Sequence, residues 1–537
     1  MEETRIPVWL YWAVWLLLGP ALLINLGLMT FIDDEGIRSL VALEMDLSGN
    51  FITPTMHGEY YYKKPPLFNW LLLGWFYLTG KISEFTARIP TVLALTGYCL
   101  TIYSFLRKHY DRDFAFLGAI VFLTCGRVLF WDSMLALIDM TFSWVIYSSL
   151  MLTYHLFEKG QYRRLFILTY FLTAVGFLLK GLPAIVFQGI TLFTWLAYKR
   201  QLRLLFSKGH VLGGAVFLIL VGGYYLVYHQ YNDLGKVFST LFTESSQRTA
   251  VHYGVWETLF HLVTFPLEMV YHFLPWSLLL LTLWHRRVRS WILADPFITY
   301  QAIIFLANIV VYWISPEVYP RYLLMLAPLI FTVFLYLFQK HQRENTRIFR
   351  GITILFGLLM TGIALAWWLP PFFDRLDIVA YRWLKAWSVA TALSVLVLAY
   401  WRGSMGKLVL LAVFLLVFRI GFNFFVLPDR NAHDYGDQVR KTTQAVGAAY
   451  ADVPLYIYGD STVMQPTNSF YLTHARRAIV PIVEEPQKQD SAVYLLYPRA
   501  YPELAYQVLD SLSARYHKAT YYVVTLSGRI PERDSLK

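Results

Sequence analysis

Long apolar runs recur over the first four-fifths of this chain, separated by short polar segments in which Lys and Arg, or Pro and Gly, concentrate. A helix needs roughly 20 residues to cross the hydrocarbon core of a bilayer. About thirteen runs meet that need: residues 7–29, 86–106, 114–131, 139–157, 165–180, 182–198, 210–230, 264–284, 297–314, 322–338, 351–369, 386–401 and 407–426. The first follows Arg5, but it is long for a signal-peptide core and lacks a small-residue cleavage site, so it reads as an uncleaved anchor. The pattern predicts a polytopic all-α membrane protein.

Every second loop is short and basic: RKHYDRD (107–113), EKGQYRR (158–164), YKRQLR (198–203), HRRVR (285–289), QKHQRENTR (339–347) and WRGSMGK (401–407). Short loops keep their cations on the cytoplasmic side. The alternate loops, two of them long at about 30–85 and 231–263, then face outward, and an odd number of spans delivers residues 428–537 to the same outer side. That tail is a different material. DYGDQVRKTTQAVGAAYA has helical spacing, PLYIYGD, AVYLLYP and YYVVTLS are β-rich, and PELAYQVLDSLSARY between the last two reads as helix. The expected organisation is a transmembrane domain over 1–427, including both long loops, followed by a small extracytoplasmic α/β domain.

Composition supports this division. Of 537 residues 57% are hydrophobic and 15% charged, with mean hydropathy +0.46, whereas soluble domains carry about a quarter charged residues. The net charge of +11 does not point to nucleic acid: the tail holds 12 Lys+Arg against 12 Asp+Glu, so the whole excess lies among the spans. Cys99 and Cys125 both sit in apolar runs and build neither a disulfide framework nor a zinc-finger spacing.

Candidate chemistry gathers in the outward segments. Asp33, Asp34 and Glu35 directly follow a span, where carboxylates are costly unless they have water or work. Ile37, Leu40, Val41 and Met45 then recur at helical spacing, so the acids start an interfacial amphipathic helix, and capping by Asp33 explains the residue types equally well. In YYKKPPL, Pro65 and Pro66 hold Lys64 extended, and Lys63 and Lys64 serve either as phosphate-binding point charges or as lysines at lipid headgroups. Asp139 lies near the outer end of a span. Glu244 and Arg248 are one helical turn apart, as in an ion pair, while Arg321 and Tyr322 begin a span and Lys180 ends one. No GxGxxG, GxxxxGK[ST] or HExxH is present, and Asp111, Arg112 and Asp113 read as a solvated turn in a cytoplasmic loop.

In order, DEGIRSLVALEM, SGNFITP, KKPPLFNW, EFTARIPTVLA, ALIDMTF, LLKGLPAIV, TESSQR and YPRYLLMLAPL resemble the polytopic GT-C glycosyltransferases, in particular bacterial lipid A aminoarabinose transferases and their protein O-mannosyltransferase relatives. The motifs run through residues 7–340; the later spans and the tail agree in layout. The resemblance implies a bacterial inner-membrane enzyme that takes a sugar from a polyprenyl phosphate and gives it to a lipid, glycan or protein acceptor on the outer side. Position by position it implies Asp34 as catalytic aspartate with Glu35 its neighbour, Asp139 as second acid, Lys64 and Arg248 on the donor phosphate, Tyr61 and Tyr322 lining the cavity, and Lys180 as the lysine of the KG motif.

Three positions depart from the family pattern. The arginine usual three residues after the first aspartate is Ile37, with Arg38 one place later; the glutamate and histidine that bind zinc in the aminoarabinose transferases are Lys63 and Ser245. With both ligands lost that zinc site is not expected, while another divalent metal stays open; His252 stands nearby, but a metal needs several oriented donors. Lys63 is then a candidate for phosphate compensation.

The expected reaction has Asp34 as general base toward a hydroxyl acceptor, with Lys and Arg meeting the leaving phosphate and inversion at the anomeric carbon. An acceptor that is already an ionised phosphate would leave Asp34 an orienting role. A lipid flippase or transporter would place its ionisable residues near mid-membrane, and an envelope-assembly scaffold would dispense with the acids; here the acids are present and gather toward one face.

Overall fold

The computed structural model describes residues 6–32, 34–246, 255–403, 406–433, 436–459, 464–485, 492–514 and 519–526. Its helices are α1 (Val8–Leu23), α2 (Glu35–Ser48), α3 (Leu67–Thr79), α4 (Glu84–Leu106), α5 (Arg112–Thr124), α6 (Gly126–Phe130), α7 (Ile138–Glu158), α8 (Tyr162–Lys180), α9 (Pro183–Tyr198) and α10 (Lys208–His229). They continue with α11 (Leu234–Ser246), α12 (Val255–His272), α13 (Val288–Leu293), α14 (Pro296–Trp313), α15 (Ala327–Arg343), α16 (Arg347–Ala366), α17 (Arg382–Arg402), α18 (Lys407–His433), α19 (Gly436–Ala449) and α20 (Pro466–Arg476).

Each of the thirteen expected stretches contains helix. Length and hydropathy qualify seven described helices as membrane spans, α4, α8, α10, α14, α16 with its extension to Phe372, α17 and α18, and an eighth where α5 and the segment from Gly126 meet at 49°. The others depart for identifiable reasons. α7 spends Ser143, Ser149 and Thr153 on buried contacts, which lowers its hydropathy. The run expected at 264–284 stops as α-helix at His272 and resumes as a 3-10 turn from Trp276 to Leu283.

Contacts divide the chain into two compact units: residues 1–26, 62–67 and 88–426, and residues 27–61, 68–87 and 427–537. The sequence reading put the boundary at 427/428 and the first outer loop with the spans; the contacts group most of that loop with the tail.

In the larger unit, close helix crossings rest on small residues. A Cβ on Gly213 of α10 would lie 2.8 Å from the Phe166 carbonyl oxygen of α8, and one on Gly209 3.2 Å from the Arg163 Cα. This small-xxx-small spacing lets two membrane helices touch along their backbones. Polar side chains join neighbouring helices: Ser149 Oγ donates to Gln188 Oε1 at 2.8 Å and Asn308 Nδ2 to Thr191 Oγ1 at 3.1 Å. Asp111, expected in a solvated turn, caps α5 by accepting from the Phe114 amide at 2.7 Å.

In the smaller unit, β1 (Thr55–Met56) and β2 (Glu59–Tyr60) form a hairpin. β3 (Leu455–Tyr458), β4 (Ile482–Val483), β5 (Val493–Leu496), β6 (Tyr506–Ala514) and β7 (Ala519–Leu526) form a sheet ordered β4-β3-β5-β7-β6, parallel at β3 with both neighbours and antiparallel beyond β5. The stretch PELAYQVLDSLSARY, expected as helix, contains strand β6. Leu509, Leu512 and Tyr516 suggest a helical stripe, but a bulge between Val508 and Asp510 resets the register, and Leu512 and Ala514 turn inward against β-branched β7. Helix α20 was missed because much of its buried side is polar: Asn468 Nδ2 donates to Thr443 Oγ1 at 2.8 Å and to the Ser513 carbonyl at 2.9 Å.

The loop and tail of this unit are woven together by buried polar contacts. Tyr471 of α20 donates to Glu84 at 2.5 Å, and Arg440 of α19 meets the same carboxylate at 3.2 Å. α2 crosses α20 at Gly36, where a Cβ would lie 2.8 Å from the Thr467 amide nitrogen. Glu44 of α2 accepts from the amides of His57 at 2.6 Å and Gly58 at 3.1 Å and from Thr55 Oγ1 at 2.8 Å, which fixes the hairpin, and His57 Nε2 reaches Ser469 Oγ at 2.7 Å.

Burial lowers the His57 pKa from its ordinary 6.5 to about 4. The unfolded chain takes up this proton first, so the stability that neutral His57 confers is complete above pH 6.5 and is lost as pH falls toward 4. Glu44 has the opposite sign, because the same desolvation raises its pKa and favours the folded state at lower pH. The two separate in a difference measurement: the thermal unfolding midpoint in detergent should fall less steeply between pH 6.5 and 4 for His57→Gln than for the parent chain. Parallel pH profiles would show that this histidine does not contribute.

Candidate active site

Residues singled out by the sequence fall into one cluster in each unit. In the larger unit the cluster is made by helix ends. LLKGLP stops α8 at Lys180, because Gly181 takes φ +86°, a conformation that favours glycine, and Pro183 restarts the chain as α9. α7 begins at Ile138, which puts Asp139 in its first turn, where the helix dipole favours a carboxylate; Lys180, in the last turn of α8, is equally well placed for a cation.

The two meet at 2.5 Å, and Arg321, on the 3-10 turn Pro320–Leu323, approaches the other carboxylate oxygen at 3.6 Å. All three are buried. Tyr322 completes the group: Lys180 Nζ lies 4.0 Å over its ring, and Arg321 stacks on Tyr319 at 4.6 Å. Lys64 acts on Asp139 electrostatically from the bend before Pro65. Lys180 and Arg321 therefore converge on one carboxylate, and Lys64 adds a weaker attraction to it.

Sequence reasoning missed a second buried ion pair beside this group, Arg127 Nε to Asp132 Oδ2 at 2.9 Å, whose charges also act on Asp139 and Arg321. The signal was two charges five residues apart within the otherwise apolar CGRVLFWDSML. Also missed was Asn232, whose Nδ2 donates to Tyr62 at 3.1 Å and Tyr228 at 3.0 Å and so ties down the chain just before Lys63. Lys63 itself is exposed. Glu244 belongs to α11, its side chain outside the described atoms, and Arg248 lies outside the described residues. Asp33, Ser245 as a side chain, and His252 likewise lie outside the description.

In the smaller unit, Glu35 is wholly buried and accepts from the Ile32 amide at 2.9 Å, so it closes the start of α2. Asp34 is the residue at the helix N-cap, half-buried, and its side chain makes no cap hydrogen bond. Arg38, one turn on, donates from Nη2 to Tyr61 at 2.7 Å and lies 5.3 Å over that ring. Its Nη1 is buried with no hydrogen-bond partner among the described residues. The ring of Tyr61 packs with Val41, Met45 and Leu73, which holds the α2 stripe against α3.

The zinc site expected from the resemblance to aminoarabinose transferases does not fit this chain. The first ligand position carries the ammonium of Lys63, and among the described residues no three His, Cys, Asp or Glu side chains group as a metal would need.

These features define a polytopic membrane protein of the GT-C fold with a small α/β unit. The fold is shared with ArnT from Cupriavidus metallidurans: the structure bound to undecaprenyl phosphate matches with a TM-score of 0.71 at 19% identity, covering 96% of this chain and 98% of that one, and the apo structure with 0.70 at 17%. The dolichyl-phosphate-mannose-protein mannosyltransferase family model matches residues 63–225. By sequence the chain is similar to an uncharacterized protein of Aquifex aeolicus, 31% identical over 200 residues, or 37% of this chain and 44% of that protein. It is also similar to the undecaprenyl phosphate-alpha-4-amino-4-deoxy-L-arabinose arabinosyl transferase of Erwinia tasmaniensis, 27% identical over 179 residues, or 33% of this chain and 32% of the relative. These matches span less than half the length of either relative.

Removing one member of a buried ion group leaves its partners uncompensated and costs about 3–5 kcal/mol. The double variant Asp139→Asn with Lys180→Met should therefore lower the unfolding midpoint by less than the sum of the two single variants, with a coupling of ~1 kcal/mol or more. Additive midpoints in a double-mutant cycle would show that the contact between Asp139 and Lys180 carries no stability.

Proposed function

We propose that this chain is a glycosyltransferase that moves a sugar from a polyprenyl phosphate to an acceptor at the outer face of the cytoplasmic membrane. The observation that carries the reading is the group in which Lys180 and Arg321 are held on Asp139, with Lys64 acting on the same carboxylate. Cations fixed in this way suit a leaving group on which negative charge develops, and a polyprenyl phosphate departing from a sugar is such a group. The fold shared with ArnT, whose structure holds undecaprenyl phosphate, supports the same donor class.

In this reading a hydroxyl oxygen of the acceptor attacks the anomeric carbon, the bond from that carbon to the phosphate oxygen breaks, and the acceptor proton passes to the Asp34 carboxylate. The phosphate leaves with the bonding electron pair, its charge met by Lys64 and Arg248, with Lys63 as a further cation. Asp139 is held by two cations, which suits it to orient Lys180 and Arg321 rather than to accept a proton. Glu35 shapes the start of α2, and Tyr61 with Arg38 supplies a donor edge toward the sugar. Tyr322 lines the cavity beneath Lys180. If the acceptor is already an ionised phosphate, no proton moves and Asp34 orients it.

The charged residues of this group sit at helix ends and on a turn, not in broken helices at mid-span as a transporter would need. Arg419 is buried within α18, and its guanidinium is committed to the Ala21 carbonyl at 3.2 Å and the Met134 sulfur at 3.5 Å.

The test is transfer in membranes supplied with radiolabelled polyprenyl-phosphate sugar, with products resolved into lipid, glycan and protein fractions. Loss of the general base in Asp34→Asn should slow transfer to a hydroxyl by about 10²–10⁴-fold, and Lys64→Gln should slow it with the same acceptor. An unchanged rate in Asp34→Asn with a hydroxyl acceptor removes this mechanism, and movement of label without covalent product removes the enzyme reading.

A further inference from the structure

Three basic loops assigned to one side of the membrane, 107–113, 339–347 and 401–407, are far apart in sequence, yet all three border one cavity of about 410 Å³ in the larger unit. Phe114, Leu117, Leu335, Phe338 and Leu408 give it an apolar wall between membrane helices. Gln339, Gln342, Arg350 and Lys407 supply its polar lining.

The charge balance of this lining is one-sided. Its carboxylate, Asp113, is committed, accepting from the Ile6 amide at 2.7 Å and the Tyr11 hydroxyl at 2.5 Å. Lys407 Nζ lies 5.1 Å over the ring of Tyr400, which donates to the Thr353 carbonyl at 2.8 Å, so the lysine is placed by a ring that is itself fixed. Neither Arg350 nor Lys407 makes an ion pair among the described residues. Two cations without a carboxylate partner, set over an apolar slot, match a molecule with an anionic head and a hydrocarbon body.

We propose that this cavity binds an acidic phospholipid of the adjoining leaflet. The phosphate is held by Arg350 and Lys407, the Gln339 and Gln342 amides donate to its remaining oxygens, and the first segment of an acyl chain lies along Phe114, Leu117 and Phe338. The volume falls in the ordinary range for a ligand pocket, roughly 300–1,000 Å³, which admits a headgroup and the start of a chain while the rest stays in the bilayer. A free phosphate would leave the apolar wall uncovered, and basic pockets between membrane helices on the cytoplasmic side are suited to acidic headgroups. The site is independent of the proposed transfer reaction, since none of its residues belongs to the cluster around Asp139.

The experiment is native mass spectrometry of the full chain in detergent, titrated with phosphatidylglycerol, with phosphatidylcholine of the same chains, and with inorganic phosphate. Phosphatidylglycerol should be retained at least tenfold better than phosphatidylcholine. Arg350→Gln with Lys407→Gln should lose about tenfold in retention, and the charge-conserving pair Arg350→Lys with Lys407→Arg should keep it. Each single Gln variant, read beside its unfolding midpoint, should show a partial loss and so separates lost binding from lost folding. Equal retention of the two lipids, undiminished retention in the single and double Gln variants, or displacement of the lipid by inorganic phosphate at equal concentration would each overturn the proposal.

Discussion

A charge buried inside a membrane protein has to be met by an opposite charge or by hydrogen-bond acceptors, and in the larger unit Asp139 supplies the opposite charge for two buried cations. Desolvating an ion costs several kcal/mol even after relaxation, so Lys180 and Arg321 are tenable in the interior because one carboxylate faces both. The geometry comes from backbone features with no charge of their own: the glycine that ends α8, the proline that restarts α9, and the turn that carries Arg321. Helix dipoles favour the same signs at the same ends. Packing thus sets the position of the cations before any substrate is present, the condition under which fixed charges can stabilise a leaving group without reorganising.

The smaller unit uses polar contacts differently, to brace a loop. α2 is short and would be marginal alone, but Gly36 admits the backbone of α20, and Glu44 gathers the hairpin amides that pass through His57 to Ser469. Glu84 adds a second tie, to Tyr471 and Arg440. The tail is therefore more than an appendage, since it supplies the surface against which the helix beginning at Asp34 is ordered.

The helical architecture was readable because an apolar run of about twenty residues suits a membrane-crossing helix and little else, and three of the six basic loops border one cavity. Asp139, Lys180, Arg321 and Tyr322 were legible as odd polar residues at span ends, although their convergence depends on tertiary packing that spacing does not encode. What escaped notice was polar and local. Arg127 and Asp132 hid in an apolar run, α20 buries Asn468 and Thr473 where a hydropathy stripe was sought, and β6 looked helical because a bulge shifts its periodicity by one. The grouping of the first outer loop with the tail was hidden too, because it rests on a close approach at one glycine and on hydrogen bonds across hundreds of residues.

The two cation-rich places in the larger unit show how pairing sorts the use of a charge. Lys180 and Arg321 are bound to a carboxylate, so their positions are set and their attraction for a further anion is moderated. In the proposed transfer, a phosphate that must depart is better served by such a moderated field, because a bare buried cation would hold it as tightly as it stabilised its formation. Arg350 and Lys407 reach solvent and need no carboxylate to be tolerated, so their full charge is available to a lasting occupant. The same residue types are thus suited to turnover where a carboxylate tempers them and to retention where none does.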